Sequence, residues 1–113
     1  MQLGESRFTV LYRWRLHPGM EASFVIAWSR ITELLLRHRG SRGSRLHRGA
    51  DGLWYGYAQW PSAEARERAF AAGSVDPDAG AAMRAAIAES LPEVALEIMA
   101  DYIVPADPGL HST

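Results

Sequence analysis

From Arg7 to Leu16, "RFTVLYRWRL", apolar and aromatic residues fall on alternate positions. Phe8, Val10, Tyr12, Trp14 and Leu16 form one set, and Thr9, Leu11, Arg13 and Arg15 the other. A period of two in β-branched and aromatic side chains predicts a strand. "HPGM" interrupts it, and from Glu21 the spacing widens to three and four. Phe24, Ala27, Trp28, Ile31, Leu34 and Leu35 then predict a helix with one apolar face, running to about Arg39 and stopped by Gly40 and Gly43. "SRLHRGADGLWYGYAQW" reads as a hairpin with arms 44–49 and 53–60, turning at Asp51-Gly52. After Pro61, Ser62 is placed to cap "AEARERAF", with Glu64 in the first turn. A second helical piece follows, capped by Asp76 or Asp78 with Pro77 in its first turn. Its stripe is Ala79, Met83, Ile87 and Leu91, and Pro92 ends it. Val94, Leu96, Ile98, Ala100, Tyr102 and Val104 share one face of a last strand over 94–104.

The order β-α-β-β-α-β, its second helical region broken in two, is the ferredoxin-like split βαβ arrangement. It predicts an α+β fold with a four-stranded antiparallel sheet and helices on one face. Neither alternate set of the strands is wholly polar. Leu11, Tyr55, Tyr57, Met99 and Ile103 fall opposite the sets that the helices cover, so a lone subunit would expose an apolar patch. A homodimer joined through the sheet faces is the expected remedy.

Composition changes this picture little. The chain has 113 residues, 48% of them hydrophobic and 22% charged, enough for one domain (1–113, with a core over 7–104 and a loose polar tail over 105–113). It has no apolar run of membrane-spanning length and no secretory pattern at its start, so the expectation is a cytoplasmic protein with no membrane partner. Cysteine is absent, which excludes disulfides, thiolate nucleophiles and cysteine metal sites. Net charge is −1, but nine arginines fall in residues 1–60 and only three beyond, while lysine is missing altogether. The run "RHRGSRGSRLHR", Arg37 to Arg48, raises the question of nucleic acid. It straddles a loop and lacks lysine, which favours a solvated turn or an acidic partner surface instead.

Two kinds of residue carry candidate chemistry. An imidazole exchanges a proton near neutral pH, and His47 shares a strand face with Arg45. Together they are the candidate base and oxyanion donor for a phenol or enol substrate. The four tryptophans, Trp14, Trp28, Trp54 and Trp60, come from three elements that the topology gathers into one layer. Because the indole N–H wants a partner, tryptophan often borders a cavity. They are the candidate substrate-binding wall, with core packing as the alternative for each. On β-alternation the Trp54/Trp60 face belongs to this wall and the Tyr55/Tyr57 face to the dimer. The histidines show no HxH or HExxH spacing, and no phosphate loop, serine elbow or carboxylate pair appears, so neither metal nor cofactor is expected.

The element order, "HPGMEASF" after the first strand and "WYGYAQWPSAEARERAF" together resemble the antibiotic biosynthesis monooxygenase (ABM) domain family, over roughly residues 7–104. The resemblance implies a dimeric α+β barrel with a pocket between each sheet and its helices. It also implies an oxidoreductase activity among cofactor-independent polyketide monooxygenases, quinol oxygenases or haem-degrading oxygenases. Trp60 matches the tryptophan that lines the family's pocket, and Pro18-Gly19 the turn before the first helix. Two features depart from it. The chain has no asparagine, which the polyketide and haem branches use, and "SAEARERAFAAG" lacks the haem-ligating histidine, with Phe70 near its place. Two functions therefore stand side by side: a cofactor-independent monooxygenase of a hydroxylated aromatic or quinol-like molecule, and a non-catalytic small-molecule-binding or structural dimer.

Overall fold

The computed structural model describes residues 7–104. Its elements in chain order are β1 (Phe8–Leu16), α1 (Glu21–His38), β2 (Ser44–Arg48), β3 (Trp54–Trp60), α2 (Ala63–Ala71), α3 (Pro77–Ala86) and β4 (Ile87–Leu96). The strands pair antiparallel in the order β2-β3-β1-β4, and the expected ferredoxin-like α+β arrangement is present. The tail assigned to 105–113 lies outside the described residues.

Local chemistry fixes the early elements where their spacing put them. The hairpin turns at Asp51, whose carboxylate accepts from the Leu53 N–H and from the Tyr55 hydroxyl, while Gly52 adopts φ +85°. Ser62 caps α2 by accepting from Ala65 N–H at 3.0 Å, and Asp76 caps α3 by accepting from Ala79 N–H at 3.0 Å. Arg39, at the end of α1, donates to the carbonyls of Ala69 and Gly73 and so ties α1 to the C-terminal end of α2. The core sits between α1, α3 and the sheet, where Trp14, Phe24 and Ala86 are buried and the Trp14 and Phe24 rings meet edge to face at 5.2 Å.

Two expectations are corrected here. The stripe Ala79, Met83, Ile87, Leu91 does not stay helical. α3 stops at Ala86, and β4 occupies 87–96 rather than 94–104. The free side of β1 needs a partner for its backbone groups, and pairing from Leu16↔Ile87 to Thr9↔Leu96 supplies one along almost the whole strand. Beyond Leu96 the β1 ladder is exhausted, so Met99, Tyr102, Ile103 and Val104 belong to no strand and are exposed. Pro92, expected to end a helix, instead sits in an edge strand, where a missing N–H is tolerated. Pro92 and Glu93 together oppose the single residue Tyr12, between the Arg13↔Leu91 and Leu11↔Val94 pairs, which is the geometry of a bulge.

The second correction concerns the barrel. The sheet is open: β2 and β4 are its two edges and do not pair with each other. Four strands of five to ten residues are too few to curl into a closed wall, which takes about eight strands when the interior is just filled by side chains.

Candidate functional site

Strand alternation sorts the aromatic residues between two surfaces. On β3, Trp54, Gly56, Ala58 and Trp60 share the helix side with Tyr12 and Trp14 of β1, their register partners being Gly56 and Trp54. Tyr55, Tyr57 and Gln59 share the open face with Thr9, Leu11 and Arg13. On the helix side the elements enclose a cavity of about 200 Å³. Its floor is Tyr12, Trp14, Gly56, Ala58 and Trp60, its walls are Trp28, Ile31, Thr32 and Leu35 of α1, and Phe70 of α2, Met83 of α3 and Ser44 complete it.

Gly56 is what lets the floor exist. A Cβ there would lie 2.8 Å from Cη2 and 3.0 Å from Cζ3 of Trp14, and 3.7 Å from Nε1 of Trp28. Without a side chain at 56, the outer edge of the Trp14 ring packs over the glycine and the indole N–H of Trp28 lies close by. Trp60 closes one end, only 2% exposed, with its ring edge-on to Phe70 at 5.7 Å. Phe70 is itself 48% exposed, so it forms a rim rather than a buried wall.

Beside Trp60 and Phe70 stands a polar cluster. Arg66 of α2 lies over three rings at once, 5.3 Å from Phe70, 5.5 Å from Tyr12 and 5.9 Å from Phe8. Its Nη2 donates to Glu93 Oε1 at 2.7 Å, and the bulge in β4 is what brings Glu93 to this side of the sheet. Burial works against the guanidinium's charge, but the bonded Glu93 carboxylate and the neighbouring Tyr12 outweigh it, so the Arg66 pKa is raised. Burial pushes the Tyr12 phenol above its usual range, opposed only in part by Arg66. At neutral pH Tyr12 is therefore a proton-bearing donor, not a base.

The expected site residues divide. Trp14, Trp28 and Trp60 come together around the cavity. Trp54 does not line it: its ring meets Phe24 at 5.9 Å and lies under the Arg48 guanidinium at 5.7 Å, at the opposite end of the core. His47 and Arg45 must be moved altogether. They pair with Tyr55 and Tyr57 on the open face, exposed to solvent and across the sheet from the cavity. Reading them as base and oxyanion donor assumed that a shared face meant the pocket face, and the β2–β3 register puts them on the other one. Sequence reasoning missed Tyr12, Arg66 and Phe70. The signals were there: Tyr12 alternates with Trp14, and Arg66 and Phe70 are four apart on a helix that begins three residues after Trp60. Among the described residues no group of three or more His, Cys, Asp or Glu side chains is placed to hold a metal ion. The cavity lining has no histidine to serve as a haem ligand. No helix among the described residues is long and apolar enough to cross a membrane.

No protein-family model matches the chain, and no curated protein does. Solved structures do. SnoaB, a cofactor-independent oxygenase from Streptomyces nogalater, superposes with a TM-score of 0.64 at 22% identity, over 89% of this chain and 99% of its own. A protein from Chloroflexus aurantiacus provisionally named an antibiotic biosynthesis monooxygenase gives 0.69 at 17% identity, over 88% of this chain and 100% of its own. Rv0793 from Mycobacterium tuberculosis gives 0.68 at 14%, over 85% and 98%. The described domain thus has the fold of proteins that carry the antibiotic biosynthesis monooxygenase name, built here on an open four-stranded sheet.

Proposed function

We propose that the protein is a cofactor-independent monooxygenase acting on a flat hydroxylated aromatic or quinol-like molecule, bound in the cavity against Trp14, Trp28 and Trp60. The observation that carries this reading is the cavity itself, whose wall is mostly indole, phenyl and aliphatic surface. An engineered apolar cavity of about 150 Å³ takes up benzene, so one of about 200 Å³ has room for a flat aromatic ring system. Likeness to SnoaB supports the activity class. In such a reaction the substrate supplies the electrons. A ring CH₂ flanked by a hydroxylated aromatic system loses both hydrogens, one atom of O₂ becomes the new carbonyl oxygen, and the other leaves as water. What the protein contributes is a shaped, largely apolar site that holds and orients the electron-rich ring.

One observation favours the alternative, a non-catalytic binding protein: no carboxylate or imidazole lines the cavity. Binding of hydroxylated naphthalenes and anthrone-like compounds, followed by tryptophan fluorescence alongside oxygen uptake, separates the two. Binding with uptake that survives chelators supports the oxygenase, and binding without uptake supports the alternative.

The same reading includes a single domain in a cytoplasmic setting and a homodimer through the open sheet face. Leu11, Tyr55, Tyr57 and Leu91 lie there, with Val94 and Leu96 each 38% exposed. A second copy laid over this face would cover an apolar surface that monomers seldom leave bare.

A further inference from the structure

The cavity is not apolar all round. Apart from its aromatic residues, two lining side chains carry a polar oxygen, Thr32 of α1 and Ser44 of β2. Thr32 sits one turn beyond Trp28 and next to Ile31, on a lining that is otherwise aromatic and aliphatic along α1. Ser44 opens β2 opposite Ala58, and strand alternation puts its Cβ on the helix side with that floor residue. Tyr12, by contrast, lies on β1, opposite Gly56 on the far side of β3. Ser44 and Tyr12 therefore stand on strands two spacings apart, about 10 Å. The Thr32 and Ser44 edge is separate from the cluster of Tyr12, Arg66 and Glu93, and its side chains are neutral.

The chain between α1 and β2 holds this edge in place. Buried Ser41 donates its N–H to the Leu35 carbonyl at 3.3 Å, and its hydroxyl accepts from the Gly43 N–H at 3.0 Å. Arg42 N–H donates to the Gln59 carbonyl and Gln59 N–H to the Gly43 carbonyl, each at 2.9 Å. The last turns of α1 are thus pinned to the start of β2 and to β3. Among the described residues neither the Thr32 nor the Ser44 hydroxyl is engaged by another side chain. Leucine at 32 would favour the helix more than threonine does and would complete an apolar wall. Threonine and serine instead leave two rotatable hydroxyls at one edge of an aromatic cavity, each able to donate or accept.

We propose that Thr32 and Ser44 form a neutral hydroxyl subsite that takes an uncharged oxygen of the aromatic ligand, a phenol O–H or a ring carbonyl, and so fixes which way round the ring system lies. The subsite rests on the reading of the cavity as an aromatic-binding site and adds a specificity to it. Ring surfaces supply affinity without direction, whereas a hydroxyl pair at one edge distinguishes an oxygenated rim from a bare one. The preferred ligand carries a neutral oxygen on the rim that faces β2.

The test compares 2-naphthol with 2-methylnaphthalene, which has nearly the same shape and no oxygen, by equilibrium dialysis at pH 7, where a phenol is neutral. Naphthalene reports the cavity alone. A cavity with no partner for the hydroxyl would prefer the methyl compound by about tenfold, because the buried oxygen would have lost water without replacement. The intact protein should instead bind 2-naphthol at least as tightly. Thr32→Val, which keeps the shape and removes the hydroxyl, should move the ratio about fivefold toward the methyl compound, and Ser44→Ala should do the same. Naphthalene affinity should stay within about twofold in both, and Thr32→Ser should keep the parent's ratio. An unchanged ratio in folded Thr32→Val and Ser44→Ala, with naphthalene still bound, overturns the subsite and leaves the aromatic cavity standing. Equal loss of all three compounds in those variants also overturns it, since the residues would then only shape the wall. Failure of the intact protein to bind any of the three removes both the subsite and the reading of the cavity on which it rests.

Discussion

Gly56→Ala is the change that most directly exposes how the cavity is built. The added methyl would stand 2.8 Å and 3.0 Å from two carbons of the Trp14 ring, well inside ordinary contact. Trp14 cannot simply swing aside, because it is 8% exposed and its ring already meets Phe24 at 5.2 Å. Overpacking of this kind costs about 1–3 kcal/mol. Replacing glycine also lowers the freedom of the unfolded chain, which returns about 0.4–1 kcal/mol. The net expectation is destabilisation by roughly 1–2 kcal/mol, a fall in Tm of about 5–12 °C for a domain of this size. Gly80→Ala is the internal control. It lies within α3, and its added methyl would meet only flexible side-chain ends, Arg84 Nη1 at 3.4 Å and Ser74 Oγ at 3.6 Å. In a helix interior that change should stabilise by about 0.5–1 kcal/mol. Thermal unfolding followed by circular dichroism reads both, and naphthalene binding reads the cavity. Gly56→Ala should lose stability and aromatic binding together as Trp14 is pushed into the space. A Gly56→Ala protein as stable as the parent, with binding intact, would refute the packing described for the floor.

Trp60→Phe should weaken aromatic binding strongly, and because Trp60 is 2% exposed it should also cost about 1–3 kcal/mol of stability. Trp54→Phe is the matching control, expected to destabilise while leaving binding unchanged in a fluorescence titration. His47→Ala and Arg45→Ala, on the open face, should leave aromatic affinity and oxygen uptake within about twofold of the parent; a large loss would place them in the site after all. The Asp76 carboxyl is held below its ordinary value first by the Ala79 N–H and then by Arg30. A depressed folded pKa means its contribution is fully present above the ordinary value of 3.8 and is lost as pH falls through the lower folded value. Asp76→Ala should therefore lower Tm at pH 7, and the gap from the parent should shrink under acid. Sedimentation at low micromolar concentration should give a dimer that Leu11→Glu dissociates, whereas a soluble monomer of 12.5 kDa would remove the sheet-face association.

Where one physical signal dominated a segment, the sequence could be read directly. The period-two run 7–16, the stripe of α1, the Asp51-Gly52 turn and the Ser62 cap each left one low-energy solution. The region 87–104 was illegible for a physical reason. Ile87 and Leu91 continue the spacing of Met83, while Val94 to Val104 alternate cleanly, so local pattern favoured a helix and then a late strand. The deciding interaction was non-local, the need of β1 for a partner along its free side, and no window of sequence contains it. The site divides the same way. Tryptophan positions followed from strand alternation and the helix stripe, which is why three of the four meet at the cavity. His47 and Arg45 were misplaced because alternation tells which residues share a face but not which face the helices cover. Arg66 escaped notice because an exposed-looking arginine on a short polar helix becomes a site residue only once a bulge at Pro92-Glu93 turns a carboxylate toward it.

The central claim is that this cavity, with no added cofactor, holds an electron-rich aromatic for reaction with O₂. Oxygen consumption by metal-stripped protein, supplied with an anthrone-like substrate in the presence of a chelator, tests it most directly. The account predicts uptake of one O₂ for each molecule converted to the ketone, well above the spontaneous rate and largely lost in Trp60→Phe protein that remains folded. Uptake no faster than without protein across a panel of such compounds, despite their measurable binding, would contradict it and leave a binding protein in its place.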